Sequence, residues 1–544
     1  MTSLQKTIIH DKYQGSLLGA VVGDAIGWPQ EDRSRKAGRR LTKPQKAFQK
    51  WERKNGGKNY LHIEEIKEGE YSDDSQLILA TARSLLQGDN WYSHFVKLEL
   101  PVWLLYERGG GGATKRACKL WQSGTPPWKS EIKSEVERYF QAGGNGVTMR
   151  VLPHVFSSYN DKEELIQQVF KNGIATHGHP RALLSAVFYA CAMHYLISHE
   201  GTLGYGELID YLTDNKEEWS NFPKINRADD WLNAANAHTN GDYEKVWNTT
   251  ANEIIEGLQI IKRNMSLGIM DSTEDTLKEL KCFDKKFRGA GTVSALISIY
   301  IASKYATEPI TGLLEVSFLK EADTDTIASM AGGLLGAIYG TEWLNNDWKK
   351  VQDYNYIENI TNSLYKNDVL KIPRIPLWSY SNRREFLDTI EEMNKGEATT
   401  FGPFSKIVLE EKFQNRVLVE GVLVTTYKFL SESGQTFYIK IIKESLNKNG
   451  FVSYNHLEEE LLNKKNHLIS SNKSEDLSSL SLKSLSQINS SQILSDILKF
   501  ALNNNEININ TIINMLEKHG IEKEDLDQLN NIVNNKDSYK KKKQ

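Results

Sequence analysis

Residues 318–340 read Phe318-Leu-Lys-Glu-Ala-Asp-Thr-Asp-Thr-Ile-Ala-Ser-Met-Ala-Gly-Gly-Leu-Leu-Gly-Ala-Ile-Tyr-Gly340, and the rest of the chain is organised around this stretch. Asp323, Asp325 and Thr326 bring two carboxylates and a hydroxyl into four residues, directly before a run of small and apolar side chains. That run predicts a closely packed helix, so the acids lie at the start of a buried element. Hard oxygen ligands on a rigid helix start suit a magnesium-type cation. An ordinary N-cap is the alternative, since aspartate and threonine are favoured at helix starts.

A second acidic helix start occurs far earlier in the chain, at Ser72, Asp73 and Asp74. The helix that follows is amphipathic, with an apolar side at helical spacing: Leu77, Ala80, Thr81 and Leu85. Two such starts that face each other across a cleft would hold two cations about 3.5–4 Å apart, the separation found in two-metal sites.

The N-terminal segment 12–27 carries glycine at every fourth position: Gly15, Gly19 and Gly23. Each glycine costs roughly 1 kcal/mol of helix propensity relative to alanine, so the stripe predicts close approach by a neighbouring helix. A transmembrane dimer stripe is the alternative, and Asp24 and the polar flanks argue against it. Pro29 disfavours helix in the residue before it, which places Glu31 on a loop, where a solvated acid is the plain interpretation.

Two glycine-rich loops and a histidine pair complete the set of motifs. Residues Gly109–Gly112 lead into a helix and expose amide N–H groups of the kind that bind phosphate. Residues 143–150, Gly143-Gly-Asn-Gly-Val-Thr-Met-Arg150, repeat the theme with an Asn-Gly pair that adopts left-handed backbone easily. A turn without a ligand is the alternative for both loops. His177 and His179 lack the i, i+4 spacing of a helical zinc pair, so we expect a polar contact at a pocket rim.

The composition is that of an ordinary soluble protein of one to three domains: 544 residues, 39% hydrophobic and 25% charged. A net charge of −3 gives no overall reason to expect nucleic acid or an anionic membrane as partner. The three cysteines are scattered and odd in number, which favours a reducing compartment over a disulfide framework or a thiolate zinc site. The N-terminus lacks a signal-peptide core, and the apolar run 182–197 is short for a bilayer. We therefore expect a cytoplasmic protein without a membrane segment.

No sustained alternation of apolar and polar residues occurs before about residue 400. Residues 1–395 are therefore predicted to form an all-α domain, with residues 33–60 as a surface excursion or short helices. Residues 396–465 are predicted to form a small β-containing extension. Residues 466–544, rich in serine, asparagine and lysine, are predicted to be a linker with a short helical tail.

Within the extension, residues 413–430 and 436–442 are rich in β-branched and aromatic side chains. Ser431-Glu-Ser-Gly434 between them is a turn signal, so the pair predicts a β-hairpin or small β-unit. The chain closes on the basic run Lys540–Lys543, which is ordinarily just solvated, although nonspecific attraction to nucleic acid is an alternative.

Together these motifs resemble the ADP-ribosylglycohydrolase family, relatives of the enzyme that reactivates dinitrogenase reductase. The matching pieces, in order, are Gly15-x3-Gly19-x3-Gly23-Asp24-Ala25-x-Gly27-x3-Glu31, Ser72-Asp73-Asp74-Ser75, Gly144-Asn145-Gly146-x2-Met149-Arg150, Thr176-His177-x2-Pro180 and Asp323-Thr324-Asp325-Thr326 with its small-residue helix. Their order and spacing are specific, and they cover roughly residues 12–340.

The resemblance implies a compact, orthogonal all-α domain with a binuclear magnesium site, manganese being an alternative, that removes ADP-ribose from side chains or related acceptors. The implied metal ligands are Ser72, Asp73, Asp74, Asp323, Asp325 and Thr326. The implied catalytic residues are Glu31, which would handle the proton or the attacking water, together with Asp323 and Asp325. The implied ADP-ribose contacts are Gly146, Thr148, Met149 and His177, with Gly110 and Gly112 as further candidates.

The sequence departs from the family pattern at two places. Ser72 stands where threonine is usual, and the retained hydroxyl should still ligate a metal. Glu321 and Ala322 stand where glycines often precede the Asp-Thr-Asp motif, and a side chain there would narrow the approach to the ribose.

Other functions stay open at this point. A catalytically silent ADP-ribose-binding module is one alternative, although buried acids are costly to keep without a use. A hydrolase whose extension after residue 396 recruits a protein or nucleic-acid partner is another. The expected partner is an ADP-ribosylated protein or a small ADP-ribose conjugate, and the expected state is a monomer. Arginine, serine, a nucleobase or a metabolite would all serve as the acceptor.

Overall fold

The computed structural model describes residues 3–31, 36–37, 43–224, 228–369, 375–446 and 450–453. The chain divides into two compact units, the first made of Met1–Asn55, Ile63–Lys412 and Tyr427–Ile439, and the second of Gly56–His62, Phe413–Thr426 and Lys440–Gln544. The first unit thus holds the helices together with parts of the predicted extension. The three predicted domains stay a prediction, and the predicted linker and tail, residues 466–544, lie outside the described residues.

The described residues are mostly helical, which confirms the predicted fold class. The α-helices are α1 (Ser3–Gly27), α2 (Asp73–Leu85), α3 (Trp91–His94), α4 (Leu100–Tyr106), α5 (Gly112–Gln122), α6 (Lys133–Phe140), α7 (Leu152–Ser157), α8 (Lys162–Ile174), α9 (Pro180–Ser198), α10 (Glu207–Asp214), α11 (Glu217–Ser220), α12 (Asp229–His238), α13 (Tyr243–Met265), α14 (Thr273–Glu279), α15 (Gly291–Lys304), α16 (Pro309–Ser317), α17 (Thr324–Tyr339), α18 (Tyr354–Lys366) and α19 (Tyr380–Glu392). The strands are β1 (Lys36–Ala37), β2 (Trp51–Asn55), β3 (His62–Ile66), β4 (Ala398–Thr400), β5 (Lys406–Gln414), β6 (Arg416–Val417), β7 (Val422–Ser431), β8 (Thr436–Leu446) and β9 (Gly450–Ser453).

The expectation of a surface excursion or short helices at residues 33–60 is wrong for its described part. β1 pairs with β2 in antiparallel register, and β2 lies beside β3. Trp51 is buried and meets the Trp28 ring edge-on at 5.2 Å, while Arg53 pairs with the buried Glu64 at 3.6 Å. β2 has only five residues, and one of the side chains that it buries is an arginine. The alternation of apolar and polar residues that marks a strand is therefore too short to be recognised in the sequence.

The predicted hairpin is present with different strand bounds. Gly434, at φ +98°, donates its N–H to the Ser431 carbonyl at 2.9 Å, so the turn falls at the predicted residues between β7 and β8. Residues 413–430 are not one strand, because β5 ends at Gln414 and β7 begins at Val422.

The glycine stripe of α1 packs against the small-residue face of α17, as the spacing predicts. A Cβ placed on Gly15 would lie 1.8 Å from the Gly340 carbonyl oxygen, and one on Gly19 would lie 2.3 Å from that of Gly332. At the other end, a Cβ on Gly27 would lie 2.3 Å from the Thr324 carbonyl oxygen. The two helices therefore run antiparallel in backbone contact, and the end of α1 meets the start of α17.

The apolar helix α9 belongs to the core of the protein. Pro180–Ser198 is, among the described residues, a helix long and apolar enough to cross a membrane, and 78% of its apolar stretch is buried inside the protein. It packs with α1, α15 and α17 in one large hydrophobic core. Its composition is explained by that burial.

Candidate active site

The end of α1 and the start of α17 bring three acids together. Thr324 donates its hydroxyl to the Gly27 carbonyl at 2.9 Å, which ties the two helix ends to each other. Glu31, just beyond α1, then reaches Asp323 and Asp325, and one carboxylate oxygen from each lies within 4.8 Å of the others. Residues that are almost 300 apart in the chain thus form a single acidic cluster.

The start of α2 approaches the same place. Ser72 caps the helix by accepting the Asp74 N–H at 3.2 Å, and the Thr326 hydroxyl donates to Asp74 Oδ2 at 3.3 Å. That hydrogen bond joins the two acidic helix starts that the sequence places far apart. Asp74 Oδ1 is buried and has no hydrogen-bond donor among the described residues.

Asp24 accepts hydrogen bonds from residues at the start of α2. It was not among the site residues predicted from the sequence. Its fully buried carboxylate accepts the Ser72 N–H at 3.2 and 3.1 Å, the Ser75 N–H at 3.0 Å and the Ser75 hydroxyl at 2.6 Å. Burial raises the pKa of Asp24, and these hydrogen bonds oppose the rise. The only sequence signal was its place next to Gly23 in the family pattern.

The electrostatics of the cluster favour a bound cation. Burial raises the pKa of Asp73, Asp74 and Asp325 well above the ordinary range. Neighbouring carboxylates add to the effect, above all Asp24 on Asp74 and Glu31 on Asp325. Carboxylates packed in a low dielectric must either take up protons or be offset by positive charge. The donor set, all hard oxygen, fits a divalent cation such as Mg²⁺.

A cavity of about 470 Å³ opens beside these acids. Its lining includes Glu31, Asp323 and Ala322 together with Gly143 and Gly144. The remaining lining is mostly basic or aromatic and includes His179, Arg181, Lys285, Lys286, Phe287 and Arg288. An acidic centre therefore adjoins a cationic rim. His179 lies at a pocket rim as its sequence context predicts, whereas no sequence pattern marked the lysines and arginines of the rim.

The 143–150 loop connects the cavity to the acids. Asn145 Nδ2 donates to Asp323 Oδ2 at 3.0 Å, and a Cβ placed on Gly146 would lie 3.2 Å from His177 Cε1. Burial, with the nearby arginine guanidinium groups, lowers the pKa of His177 to about 3, so its imidazole is neutral. Thr148 is fully buried and hydrogen-bonds Ser185 at 2.8 Å. Of the predicted substrate contacts, Gly146 and His177 adjoin each other, whereas the Thr148 hydroxyl is engaged inside the fold.

The Gly109–Gly112 loop holds a carboxylate of the protein itself. The N–H groups of Gly109 and Gly110 donate to Glu107 Oε2 at 3.1 and 2.9 Å. Lys115 then pairs with the other oxygen of Glu107 at 3.0 Å. The Gly110 amide is therefore already engaged, while Gly112 begins α5. The predicted phosphate contacts of this loop stay a prediction.

The departure from the family pattern before Asp323 has a definite geometry. Glu321 adopts φ +67°, a left-handed conformation that favours glycine, and its side chain is exposed. Arg288 donates to the Glu321 carbonyl at 3.0 Å and so fixes this turn. Ala322, the next residue, is buried and lies in the lining of the cavity.

Comparisons with known proteins show the family of this chain. The profile of the ADP-ribosylglycohydrolase family matches residues 5–373, and the chain belongs to that family. It is 27% identical over 351 residues to ADP-ribosylhydrolase ARH3 of Xenopus tropicalis. That alignment covers 62% of this chain and 90% of the Xenopus protein. It is also 27% identical over 194 residues to the ADP-ribosyl-(dinitrogen reductase) glycohydrolase of Rhodospirillum rubrum, covering 36% of this chain and 60% of that protein. A solved structure described as an ADP-ribosylglycohydrolase-related protein complex aligns with a TM-score of 0.43 at 17% identity, over 66% of this chain and 99% of that one. The chain is thus a glycohydrolase of this family.

Proposed function

We propose that this enzyme hydrolyses the bond at the anomeric carbon of the ribose and releases ADP-ribose from a modified protein side chain or a related acceptor. The proposal rests on the cluster of Glu31, Asp323 and Asp325 at the edge of a cavity. One carboxylate oxygen of each residue lies within 4.8 Å of the other two. Cleavage at that carbon builds positive charge on the sugar, which a cluster of carboxylates is suited to stabilise.

The acidic cluster is proposed to hold two Mg²⁺ ions, with Mn²⁺ as the alternative. Ser72, Asp73 and Asp74 would serve one ion, and Asp323, Asp325 and Thr326 would serve the other. Asp74 Oδ1 is buried and accepts no hydrogen bond from the part of the chain that the structure describes. This supports the assignment, because an empty acceptor in a protein interior is costly without a cation or donor. Held by these residues, such ions would supply Lewis acidity, which would orient the ribose hydroxyls and lower the pKa of a bound water.

Glu31 is proposed to move the proton of the attacking water. It lies just beyond the α1 end, partly exposed at the cavity wall, within reach of Asp323 and Asp325. A general base at such a position contributes a factor of about 10²–10⁴ to the rate.

The basic rim is proposed to attract the substrate. ADP-ribose carries two negative charges on its diphosphate, and the lysines and arginines of the rim supply opposite charge in the lining of the cavity.

We also propose that the protein acts as a cytoplasmic monomer. Its three free cysteines are all buried as thiols, as suits a reducing compartment.

The direct test is release of ADP-ribose from a labelled substrate, with and without Mg²⁺. We expect Asp325→Asn and Glu31→Gln each to lower the rate at least ~10²-fold, and a chelator to abolish release. Asp347→Asn is the matched control, because Asp347 is an exposed acid whose side chain is 69% accessible. Full activity of the chelated enzyme or of Asp325→Asn would refute the mechanism.

A substrate panel identifies the acceptor. Peptides carrying ADP-ribose on arginine or on serine, an ADP-ribosylated nucleobase and an O-linked small conjugate are compared at equal concentration. The acceptor with the highest kcat/KM defines the substrate class. Ala322→Gly then tests whether the side chain at the cavity wall selects among them, since it should widen the range of acceptors accepted.

A further inference from the structure

We propose that the 431–438 hairpin, residues Ser431 to Tyr438, positions helix α2 and thereby the Ser72–Asp74 half of the active site. This inference rests on the proposed metal site. The hairpin lies beyond residue 373, where the match to the family profile ends. Three separate connections run from it to α2 and its flanks.

The first connection reaches the residue directly before Ser72. Tyr71 is buried and donates its hydroxyl to Asp353 Oδ2 at 2.7 Å. The Thr436 N–H donates to both oxygens of Asp353 at 3.0 Å, and Gln435 Nε2 donates to the Tyr71 hydroxyl oxygen at 3.4 Å. The hairpin thus holds the entry to α2 through one shared carboxylate.

The second connection reaches the far end of α2. Arg83 forms a bidentate pair with the buried Glu99, with both N–O distances at 2.8 Å. Its remaining nitrogen donates to Gln435 Oε1, and its guanidinium lies 4.5 Å from the centre of the Phe404 ring. The fully buried Gln435 amide therefore bonds to both sides of α2, to Tyr71 before it and to Arg83 near its end.

The third connection reaches the backbone of a proposed metal ligand. The Tyr438 hydroxyl donates a hydrogen bond to one carboxylate oxygen of Glu70. The other oxygen of Glu70 accepts a hydrogen bond from the Arg108 guanidinium at 2.9 Å. The Arg108 guanidinium lies 4.4 Å from the centre of the Tyr438 ring. The Arg108 carbonyl accepts the Asp73 N–H at 3.1 Å, so a chain of contacts runs from Tyr438 to the first turn of α2.

Together these contacts specify one position for α2. Buried charges tolerate few alternative arrangements, because each shift of a few tenths of an ångström leaves a charge or donor unsatisfied. Metal ligands must be held within about 0.5 Å of their productive geometry. The hairpin residues do not touch the cavity, so they are positioning residues rather than catalytic ones.

The test measures Mn²⁺ binding to the full chain by the loss of the free-ion EPR signal. Tyr438→Phe removes only the hydroxyl that reaches Glu70, and Gln435→Met removes the amide that bonds Tyr71 and Arg83. We expect each to weaken Mn²⁺ binding about 10-fold, as loss of outer-shell partners of metal ligands does. Tyr427→Phe is the matched control, since Tyr427 is buried on the neighbouring strand and its ring instead contacts the Lys412 ammonium at 5.0 Å. It should bind Mn²⁺ like the wild type.

The outcomes separate the two proposals. A wild type without saturable Mn²⁺ binding would refute the metal site itself. Wild-type affinity in both Tyr438→Phe and Gln435→Met would refute the positioning role while leaving the metal site intact. Loss of cooperative unfolding in both variants would also overturn it, because the Tyr438 hydroxyl and the Gln435 amide would then be needed for folding and not specifically for the position of α2. Equal weakening in Tyr427→Phe would count against it for the same reason.

Discussion

At the scale of single residues, Asp74 is the most informative side chain of the site. One of its carboxylate oxygens accepts hydrogen bonds from Ser72 and Thr326, while the other is buried without a donor among the described residues. Burial and the adjacent acids make its ionised form costly. A bound cation would give the unoccupied oxygen a partner and would offset the repulsion between Asp74 and the adjacent carboxylates.

This balance gives a prediction for Asp74→Asn. Without divalent metal the variant should be as stable as the wild type or more so, because a carboxylate is removed from an acidic cluster. Mg²⁺ should raise the unfolding temperature of the wild type, by the equivalent of ~2.7 kcal/mol per ion at a concentration 100-fold above Kd, and the rise should be smaller in the variant, which loses a ligand of one of the two proposed ions. Scanning calorimetry with chelator and with Mg²⁺ measures both effects. An equal Mg²⁺-dependent shift in the variant would contradict the assignment.

Asp353 predicts a pH dependence of stability. Burial raises the pKa of Asp353 from 3.8 to about 6, although Tyr71 and Thr436 donate hydrogen bonds to it. The folded state then binds this proton more tightly than the unfolded chain does. Its contribution to stability is full below pH 3.8 and is lost as the pH rises through about 6.

Asp353→Asn should remove that part of the pH dependence. Between pH 3.8 and about 6, the free energy of unfolding of the wild type should fall by up to ~3 kcal/mol relative to the variant. Urea unfolding of both proteins across this range measures the difference. Parallel pH profiles would show that Asp353 titrates normally.

At the scale of elements, the pair α1 and α17 sets the geometry of the site. Their glycines allow backbone contact along the whole interface, from Gly15 at one end to Gly27 at the other. Because α1 leads into the Glu31 loop and α17 begins at Asp323, any separation of the helices moves these acids apart. The small residues therefore serve the site as well as the packing.

Gly19→Ala tests that coupling. The new Cβ would lie 2.3 Å from the Gly332 carbonyl oxygen, and backbone cannot yield as a flexible side chain does. We expect a loss of ~1–3 kcal/mol in the free energy of unfolding, with a lower kcat from the displaced Glu31 loop. Gly57→Ala is the control, because its Cβ would meet neighbours only at 3.6 Å or more. Equal stability of the two variants would contradict the close contact.

At the scale of the whole molecule, two parts of the segment after the family match, residues up to Lys412 and Tyr427–Ile439, belong to the helical unit. Phe401, Phe404, Phe429 and Phe437 are buried and stack on one another. Phe404 and Phe437 also contact Tyr106 at the end of α4, with ring centres 5.4 and 5.5 Å apart. Residues 396–412 and 427–439 thus contribute core to the unit that holds the active site.

Two truncations separate these contributions. Deletion of residues 396–544 removes several buried aromatic side chains, each worth ~1.5–3 kcal/mol, which together approach the net stability of a domain. We expect this protein to lose cooperative unfolding. Deletion of residues 454–544 is the comparison, because it leaves every described contact in place. Circular dichroism against temperature measures both, and a stable protein ending at residue 395 would contradict the role of the segment.

Local patterns in the sequence were enough for the family and for the candidate ligands. Helix starts, glycine spacing and turn signals act within a few residues, so the α1 stripe, the α17 start and the 431–434 turn could all be predicted. The roles of Ser72, Asp73, Asp74, Asp323, Asp325 and Thr326 stay predictions on that basis. The strands before residue 66 could not be predicted, because each is too short to give a period and takes its partner from another segment.

The sequence by itself determined which residue types are available: acids at two helix starts, and glycines spaced for close packing. Only the tertiary structure decided that Glu31 meets Asp323 and Asp325, that Asp24 holds the α2 start, and that Gln435 bonds to both Tyr71 and Arg83. The physical reason is that these contacts join residues far apart in the chain. Their energies depend on how whole helices and strands pack, which no local spacing records.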